Sequence, residues 1–294
     1  MLGNEEEAEW GRLEFFGLFG RGKKKKSVLA AVDYHGVSLT YDVDDRAIHD
    51  IASPNEPKFA QPVSVAVGDA LYVMNRGLVP GLGRCFEALT FGPPKNVRGK
   101  QDWDWHCLPP PPFVHDPGFK NTRVHAYTVV EGSSIWISLP AMGTYSFDTT
   151  SGSWSKVGDW ELPFNGRAEF FPEYGVWLGY SGQDRVLWYS SDIGASVKQH
   201  EPTLGMVWDD PNPQRDANLI NSHLVHLGQV LHRQVFERVE NELTEVGYIP
   251  QAETFVVLTG VVLKPSGVGG GLEMTPHKSL MYRFEEGIGD AWAF

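Results

Sequence analysis

The sequence predicts an all-β fold, a single β-propeller of about five to six four-stranded blades. Most of this prediction rests on residues 131–164, which contain a glycine turn, an apolar stretch, an aromatic–Asp pair, a polar turn and Trp in that order. The same order of features recurs more weakly elsewhere in the chain. From residue 27 onward, apolar and polar residues alternate in short runs, as in half-buried strands. The 32 glycines and 20 prolines supply many tight turns between those runs.

The predicted strands form consecutive groups, each with the size of one blade. The residues 63–74 form one hairpin around Gly68-Asp69, and residues 124–157 are the clearest series of four strands. In chain order the predicted strands cover residues 27–33, 37–42, 47–48, 63–74, 85–91, 103–105, 124–130, 135–139, 144–148, 154–157, 168–171, 176–180, 186–190, 224–227, 230–239, 254–263 and 272–284.

Two hairpins repeat with the same internal spacing. Trp154 follows Asp148 by six residues, and Ile48 follows Asp42 by six residues. We expect each aspartate to accept hydrogen bonds from the turn backbone, and each apolar residue to pack between blades. This spacing is the firmest sign that the chain is a diverged repeat.

The glycine turn, the aromatic-x-Phe-Asp phrase and Trp154 resemble a degenerate kelch blade, although Glu131-Gly132 stands where kelch repeats carry Gly-Gly. Longer phrases at residues 103–113, 143–148, 157–164 and 255–260 resemble a family of uncharacterised kelch-like proteins abundant in grasses. The resemblance covers most of residues 27–284. It implies a propeller and a plant source, and it implies no activity.

Three segments are expected along the chain. Residues 1–26 differ in character from the rest and are predicted to be an N-terminal arm, either a short docking segment or a flexible one. Trp10, Leu13 and Phe16 have helical spacing, and the run Lys23–Lys26 follows them. The lysines also suit nuclear import or an anionic surface. Residues 27–284 form the predicted kelch-like propeller, and residues 285–294 form a C-terminal tail.

Composition limits the classes of partner and compartment. Lys and Arg number 25 against 37 Asp and Glu, so the formal net charge is −12, and nucleic-acid binding is not expected. No apolar run is long enough for a bilayer, so no membrane role is expected. Two cysteines, no N-glycosylation acceptor and no basic signal start favour a cytoplasmic location, with the nucleus as the alternative.

The candidate metal ligands do not form a convincing site. His223, His226 and His232 share one segment but not one strand face, and a stiff proline run separates His106-Cys107 from His115. That run, Pro109–Pro112, suits a PPII ligand, but its place in the repeat, matched by Leu162-Pro163, favours a stiff link ending a blade. No catalytic or nucleotide-binding motif is found, so we expect no metal, no cofactor and no catalytic residue.

Binding residues are expected in the long loops, because propeller loops vary without disturbing the blades. The longest candidates are residues 76–84, 92–101, 116–123 and 209–218. They carry a basic subset on an acidic chain, which suits an acidic peptide or another anionic ligand. The predicted partner-binding residues are Arg76, Arg84, Arg98, Lys100, Lys120 and Arg123.

The sequence therefore favours a non-enzymatic kelch-like β-propeller that acts as a protein-binding or adaptor module. The partner is an unidentified protein, acidic if the basic loops contact it, and the oligomeric state is open. The alternative is a metal-dependent or small-molecule enzyme that uses the mouth of the propeller channel.

Overall fold

The structure is a computed structural model, and it describes residues 13–21, 26–33, 36–58, 62–92, 102–181, 186–194, 201–208, 217–226, 230–244, 247–266 and 271–284. The chain divides into two compact units, Met1–Leu162 with Gly289–Phe294, and Pro163–Ile288. In the described part, regular structure is antiparallel strand apart from one short 3-10 helix.

The first sheet of the first unit consists of β1 (Leu13–Arg21), β2 (Lys26–Asp33), β3 (Ser38–Asp42) and β4 (Ala47–Ile51), hydrogen-bonded in chain order. In β3 buried and half-buried residues alternate, so this strand has the predicted period of two. The two strands predicted at residues 27–33 and 37–42 are confirmed.

The strand β1 corrects the helical interpretation of the N-terminal segment. It pairs with β2 along its length, with Leu13 opposite Asp33 and Arg21 opposite Lys26, and its register shifts between Phe16 and Leu18. A short apolar run fits a helical period and a strand period equally well, and pairing with a neighbour decides between them. Residues 1–12, including Trp10, lie outside the described part of the chain.

The second sheet consists of β5 (Val63–Val67), β6 (Ala70–Met74), β8 (Phe86–Gly92) and β9 (Asp102–Cys107) in that order. The predicted hairpin between the first two strands is confirmed. Gly68 occupies its turn with a φ of 60°, a left-handed conformation that glycine adopts without steric cost.

The third sheet repeats the arrangement with β11 (Ala126–Val130), β12 (Ser134–Leu139), β13 (Gly143–Asp148) and β14 (Ser153–Gly158), again hydrogen-bonded in chain order. Gly143 has a φ of 86°, and a Cβ on it would overlap the backbone at the end of β14. Only glycine fits there. This is the series of four strands that the sequence marked as the clearest.

The hairpins with the repeated spacing have the predicted turn chemistry. The Asp42 Oδ1 accepts hydrogen bonds from the backbone N–H of residues 44 and 45, both at 3.0 Å. The Asp148 Oδ1 accepts hydrogen bonds from residues 150 and 151, at 2.7 and 3.2 Å.

Strand register confirms that the two hairpins are equivalent. Tyr41 lies opposite Ile48 in the first sheet, and Phe147 lies opposite Trp154 in the third. The second sheet keeps this relation, with Phe91 opposite Trp103, although these two residues are 12 positions apart in the sequence and the other two pairs are 7 apart.

Tryptophans pack between the sheets of the first unit, which confirms the prediction made for Trp154. Trp103 and Trp105 are buried with residues of the first and second sheets. The Trp154 ring lies 5.6 Å from Phe86 of the second sheet and 5.1 Å from Phe147 of the third, measured between centroids. Burial of such large aromatic rings is a main source of core stability.

The link from the second to the third sheet is stiff and partly buried. Leu108–Pro111 lead into a 3-10 helix, Pro112–His115, whose Phe113 and Val114 are buried in the core. The Pro109 carbonyl accepts a 2.8 Å hydrogen bond from the indole N–H of Trp154. The proline run therefore ends one sheet and starts the next, as predicted.

The second unit begins with β15 (Gly166–Arg167) and then a sheet of β16 (Glu169–Phe171), β17 (Val176–Tyr180), β18 (Leu187–Ser190) and β19 (Gly205–Trp208), in chain order. Every residue of β17 is buried, which explains its nearly continuous apolar sequence. The sequence did not predict β19.

The last sheet contains the longest strands, β20 (Asn218–His226), β21 (Val230–Thr244), β22 (Gly247–Pro265) and β23 (Leu272–Phe284), in that order. The prediction for β23 has the observed bounds, whereas β21 and β22 extend beyond theirs. Beyond the four-stranded part, residues 238–244 pair with residues 247–253 as a two-stranded ribbon.

The predicted all-β fold is confirmed, and the consecutive four-stranded meanders have the arrangement of β-propeller blades. The described residues form three such sheets in the first unit and two in the second. No helix among them is long and apolar enough to cross a membrane.

Candidate functional site

Two loops of the first unit join into one surface. The strand β7 (Gly77–Leu78) pairs with β10 (Thr122–Arg123), which links the segment after β6 to the segment before β11. The N–H of Gly81 also donates to the carbonyl of Val114, at 3.2 Å. We call residues 76–85 and 113–125 together the loop surface.

Arg76, a predicted binding residue, holds this surface together. Its Nε donates to the Val124 carbonyl at 2.9 Å, and its Nη2 donates to the His125 carbonyl at 3.4 Å. Burial lowers the pKa of the guanidinium; Tyr127 opposes this effect and Arg123 adds to it. Arg76 therefore positions the loop backbone.

Three other predicted residues lie exposed on the loop surface. Arg84 and Lys120 lie in the connecting loops, and Arg123 lies opposite Gly77 in the short ladder. The loop surface has four basic residues and one acidic residue, Asp116, whereas the whole chain has a net charge of −12. The surface is thus a basic region on an acidic protein, which suits an anionic partner.

The remaining predicted residues, Arg98 and Lys100, lie outside the described part of the chain. The same holds for most of the loop predicted at residues 209–218. The structure therefore joins the loops that carry Arg76, Arg84, Lys120 and Arg123, and it gives no position for the other two side chains.

A buried ion pair that the sequence analysis missed lies beside the loop surface. Lys58 and Glu87 are bonded to each other and almost fully buried. The other Lys58 hydrogen bonds go to the carbonyls of Glu56, at 2.7 Å, and Arg84, at 3.2 Å. Asn55 donates to the Glu87 carboxylate from its backbone, at 2.9 Å, and from its side chain, at 2.6 Å.

The hydrogen bonds of this pair indicate a structural role. Burial by itself would raise the pKa of Glu87, but hydrogen bonds from Lys58 and Asn55 outweigh it and lower the pKa. Each of the three Lys58 ammonium protons has an acceptor within the protein. The pair therefore anchors the Arg84 end of the loop surface. Its one signal in the sequence is a glutamate inside an apolar strand.

The cysteines and histidines do not form a metal cluster in the described part of the chain, where no three His, Cys, Asp or Glu side chains come together. Burial raises the pKa of the Cys85 thiol to about 11, so this thiol is protonated at neutral pH. Cys107 is exposed, and neither cysteine is in a disulfide. The side chains of His223, His226 and His232 lie outside the described part.

The fold and the loop surface define an all-β protein of blade-like meanders with a basic region on an acidic chain. The chain belongs to the DUF1668 family, described as a protein of unknown function, which matches residues 3–282. A search of curated proteins found no match.

Solved structures with similar folds include the N-terminal domain of Nup159, with 10% identity, covering 92% of this chain and 63% of that one at a TM-score of 0.37. An auxiliary nutrient binding protein from Bacteroides ovatus has 9% identity, with coverages of 90% and 64% and a TM-score of 0.43. The β-propeller domain of Cps50 (Swd1) from Myceliophteria thermophila has 9% identity, with coverages of 91% and 88% and a TM-score of 0.38.

The chain spans less than two thirds of the length of the first two of these structures. Similarities this weak do not indicate a function.

Proposed function

We propose that the protein is a non-enzymatic β-propeller module that binds a protein partner through the loop surface. The observation that carries the proposal is the exposure of Arg84, Lys120 and Arg123 on two loops that are joined to each other. The partner presents an acidic segment to these side chains.

The joined loops favour binding because their backbone is already ordered. Arg76 and the Gly81–Val114 hydrogen bond hold the loops from one side, and the Lys58–Glu87 pair holds the Arg84 carbonyl from the other. A surface that is ordered before binding loses less conformational entropy when the partner docks. The basic charge of the loop surface attracts an acidic partner and disfavours the binding of basic proteins to the same surface.

Two finer assignments belong to the same proposal. From the resemblance of its repeat phrases, we assign the chain to kelch-like propellers of grasses. We also propose that the protein acts in the cytoplasm and, after import, in the nucleus. The free thiols of Cys85 and Cys107 suit these reducing compartments.

A matched pair of charge reversals tests the proposed function. The variant Lys120→Glu/Arg123→Glu reverses two charges of the loop surface, and Lys156→Glu/Lys264→Glu reverses two exposed charges elsewhere. Both proteins, with the wild type, are immobilised and incubated with a plant extract at low salt. We expect a partner that the wild type and the control capture and that the loop variant loses by more than about tenfold.

Salt provides the second readout, because exposed charge pairs are screened at high ionic strength. We expect captured partner to decrease steeply between about 0.05 and 0.5 M salt. Equal capture by the two double variants, or capture that is insensitive to salt, would show that the loop surface is not the contact.

A further inference from the structure

The outer edge of β23 is long and open. In the order β20-β21-β22-β23, no strand of the described part pairs with this edge. The strand has 13 residues, whereas the strands that end the other four-stranded sheets, β4, β9, β14 and β19, have four to six. A long free edge presents unpaired backbone N–H and C=O groups to any extended chain that reaches it.

Three consecutive apolar residues are exposed on this strand. Leu280, Met281 and Tyr282 are 50%, 44% and 50% exposed. Successive residues of a strand point to opposite faces, so both faces of β23 are open here. The residues opposite Met281 and Tyr282 on β22, Val257 and Val256, are buried. The apolar residues of β22 are therefore buried, whereas their apolar neighbours on β23 are exposed. Exposed apolar residues of this kind are typical of a surface that another chain covers.

Basic residues flank the apolar residues on both sides. Lys278 precedes them and Arg283 follows them, and both are exposed. The Arg283 guanidinium lies 3.4 Å from the carboxylate of Glu253, which also contacts Arg238 at 3.3 Å. No acidic residue lies between residues 274 and 284 of the sequence. The exposed half of β23 is thus basic on a chain with a net charge of −12.

We propose that residues 278–283 are a docking edge for an extended segment of a partner protein, in which two acidic residues flank a short apolar–polar alternation. The inference deepens the proposed protein-binding function, but it uses a surface separate from the loop surface. Docking adds a strand to the sheet: the partner backbone takes the free N–H and C=O groups, and its side chains lie beside Leu280, Met281 and Tyr282. Its acidic residues lie opposite Lys278 and Arg283, about 17 Å apart along the strand.

A second copy of this chain fits the edge less well. In the antiparallel register that places Leu280 opposite Met281 of a second copy, Lys278 lies opposite Arg283 of that copy. A shift of one residue places Lys278 opposite Phe284 or Tyr282 of the second copy, and neither supplies an opposite charge. Like charges opposite each other destabilise a strand pair, so the edge favours an acidic occupant.

Two peptides test the proposal on the full chain. The acidic probe is fluorescein-labelled Glu-Val-Thr-Val-Thr-Glu, and the basic probe has Lys at both ends instead. Because each probe has the same residue at both ends, it can dock parallel or antiparallel. By fluorescence anisotropy at low salt, we expect the wild type to bind the acidic probe at least about tenfold more tightly than the basic one.

Variants of the edge sharpen the result. We expect Lys278→Glu/Arg283→Glu to reverse the probe preference and Leu280→Ser/Met281→Ser to weaken both probes. We expect the control Lys264→Glu to bind as the wild type does. Melting temperatures close to that of the wild type show that each variant is folded.

Several outcomes would overturn the proposal. These are no binding of the acidic probe, equal binding of both probes, and a Lys278→Glu/Arg283→Glu variant that keeps the wild-type preference. A dimer by light scattering that Leu280→Ser/Met281→Ser dissolves, with no probe binding, identifies a second copy as the occupant instead. The loop variant Lys120→Glu/Arg123→Glu should bind the acidic probe as the wild type does. If that variant loses the extract partner but keeps the probe, the two surfaces act separately, and failure of one proposal can be told from failure of the other.

Discussion

The hairpins that end the first and third sheets share a turn but not an environment. Asp42 and Asp148 accept the same pair of backbone hydrogen bonds. Six residues after each aspartate the chain returns on the outer strand, with Ile48 in one sheet and Trp154 in the other. Ile48 is 67% exposed, whereas Trp154 packs against Phe86 of the neighbouring sheet.

The repeated spacing specifies the turn, but it does not specify whether the sixth residue after the aspartate is buried. The prediction that the sixth residue packs between blades is confirmed for Trp154 and wrong for Ile48. An Asp side chain can satisfy a turn with groups two and three residues away, so the turn needs only local sequence. Packing of the sixth residue needs a neighbouring sheet that presents apolar groups to it.

The largest expected effect separates the two positions that follow the turn. We expect Trp154→Ala to lower the free energy of unfolding by about 3 kcal/mol, because it removes ring contacts to Phe86 and Phe147 and the hydrogen bond to Pro109. We expect Ile48→Ala to change it by less than about 0.5 kcal/mol. Urea unfolding measures both, and equal effects would contradict the comparison.

The second expected effect concerns the turn that the two hairpins share. We expect Asp42→Ala to lower the free energy of unfolding by about 1 kcal/mol, since two backbone N–H groups lose their acceptor. Asp42→Asn keeps an acceptor oxygen and is the matched control, with a smaller loss. If both substitutions have the same effect as Ile48→Ala, the aspartate does not stabilise the turn.

The smallest expected effect is the pH dependence of the third-sheet turn. Hydrogen bonds from the backbone of Thr150 and Ser151 lower the pKa of Asp148. A lowered folded-state pKa means that the stabilisation is full above the ordinary aspartate value of about 3.9 and is lost as pH falls through the lower folded value. Asp148→Ala should therefore melt below the wild type at neutral pH, and the two melting temperatures should converge in acid. A constant difference from neutral pH to pH 2 would show that the charge of Asp148 has no part in it.

Much of the fold was predictable because most of its signals are local. The aspartate turns, the glycine turn at Gly68 and the whole of β23 follow from residues close together in the sequence. The strand β1 was not predicted, since its apolar run fits two periods and only pairing with β2 selects one. The strand β19 was missed because it begins with glycine, which is depleted in strands, and its sequence has no apolar–polar alternation.

The candidate site was predictable only in part. Loop length and charge pointed to Arg84, Lys120 and Arg123, and the structure exposes all three. The same reasoning did not predict that the Arg76 guanidinium bonds the backbone of the opposite loop, 48 residues away in the sequence. Charge in a loop does not reveal whether the side chain meets solvent or backbone.

By itself, the sequence determined the alternation of the strands, the chemistry of their turns and the acidic balance of the chain, because each depends on residue types within a few positions. Only the tertiary structure decided which apolar residues are covered, so that Trp154 is packed while Leu280–Tyr282 remain exposed. It also decided that Lys58 meets Glu87 across 29 residues. Contacts of this kind form only when sheets pack together, and no local pattern specifies them.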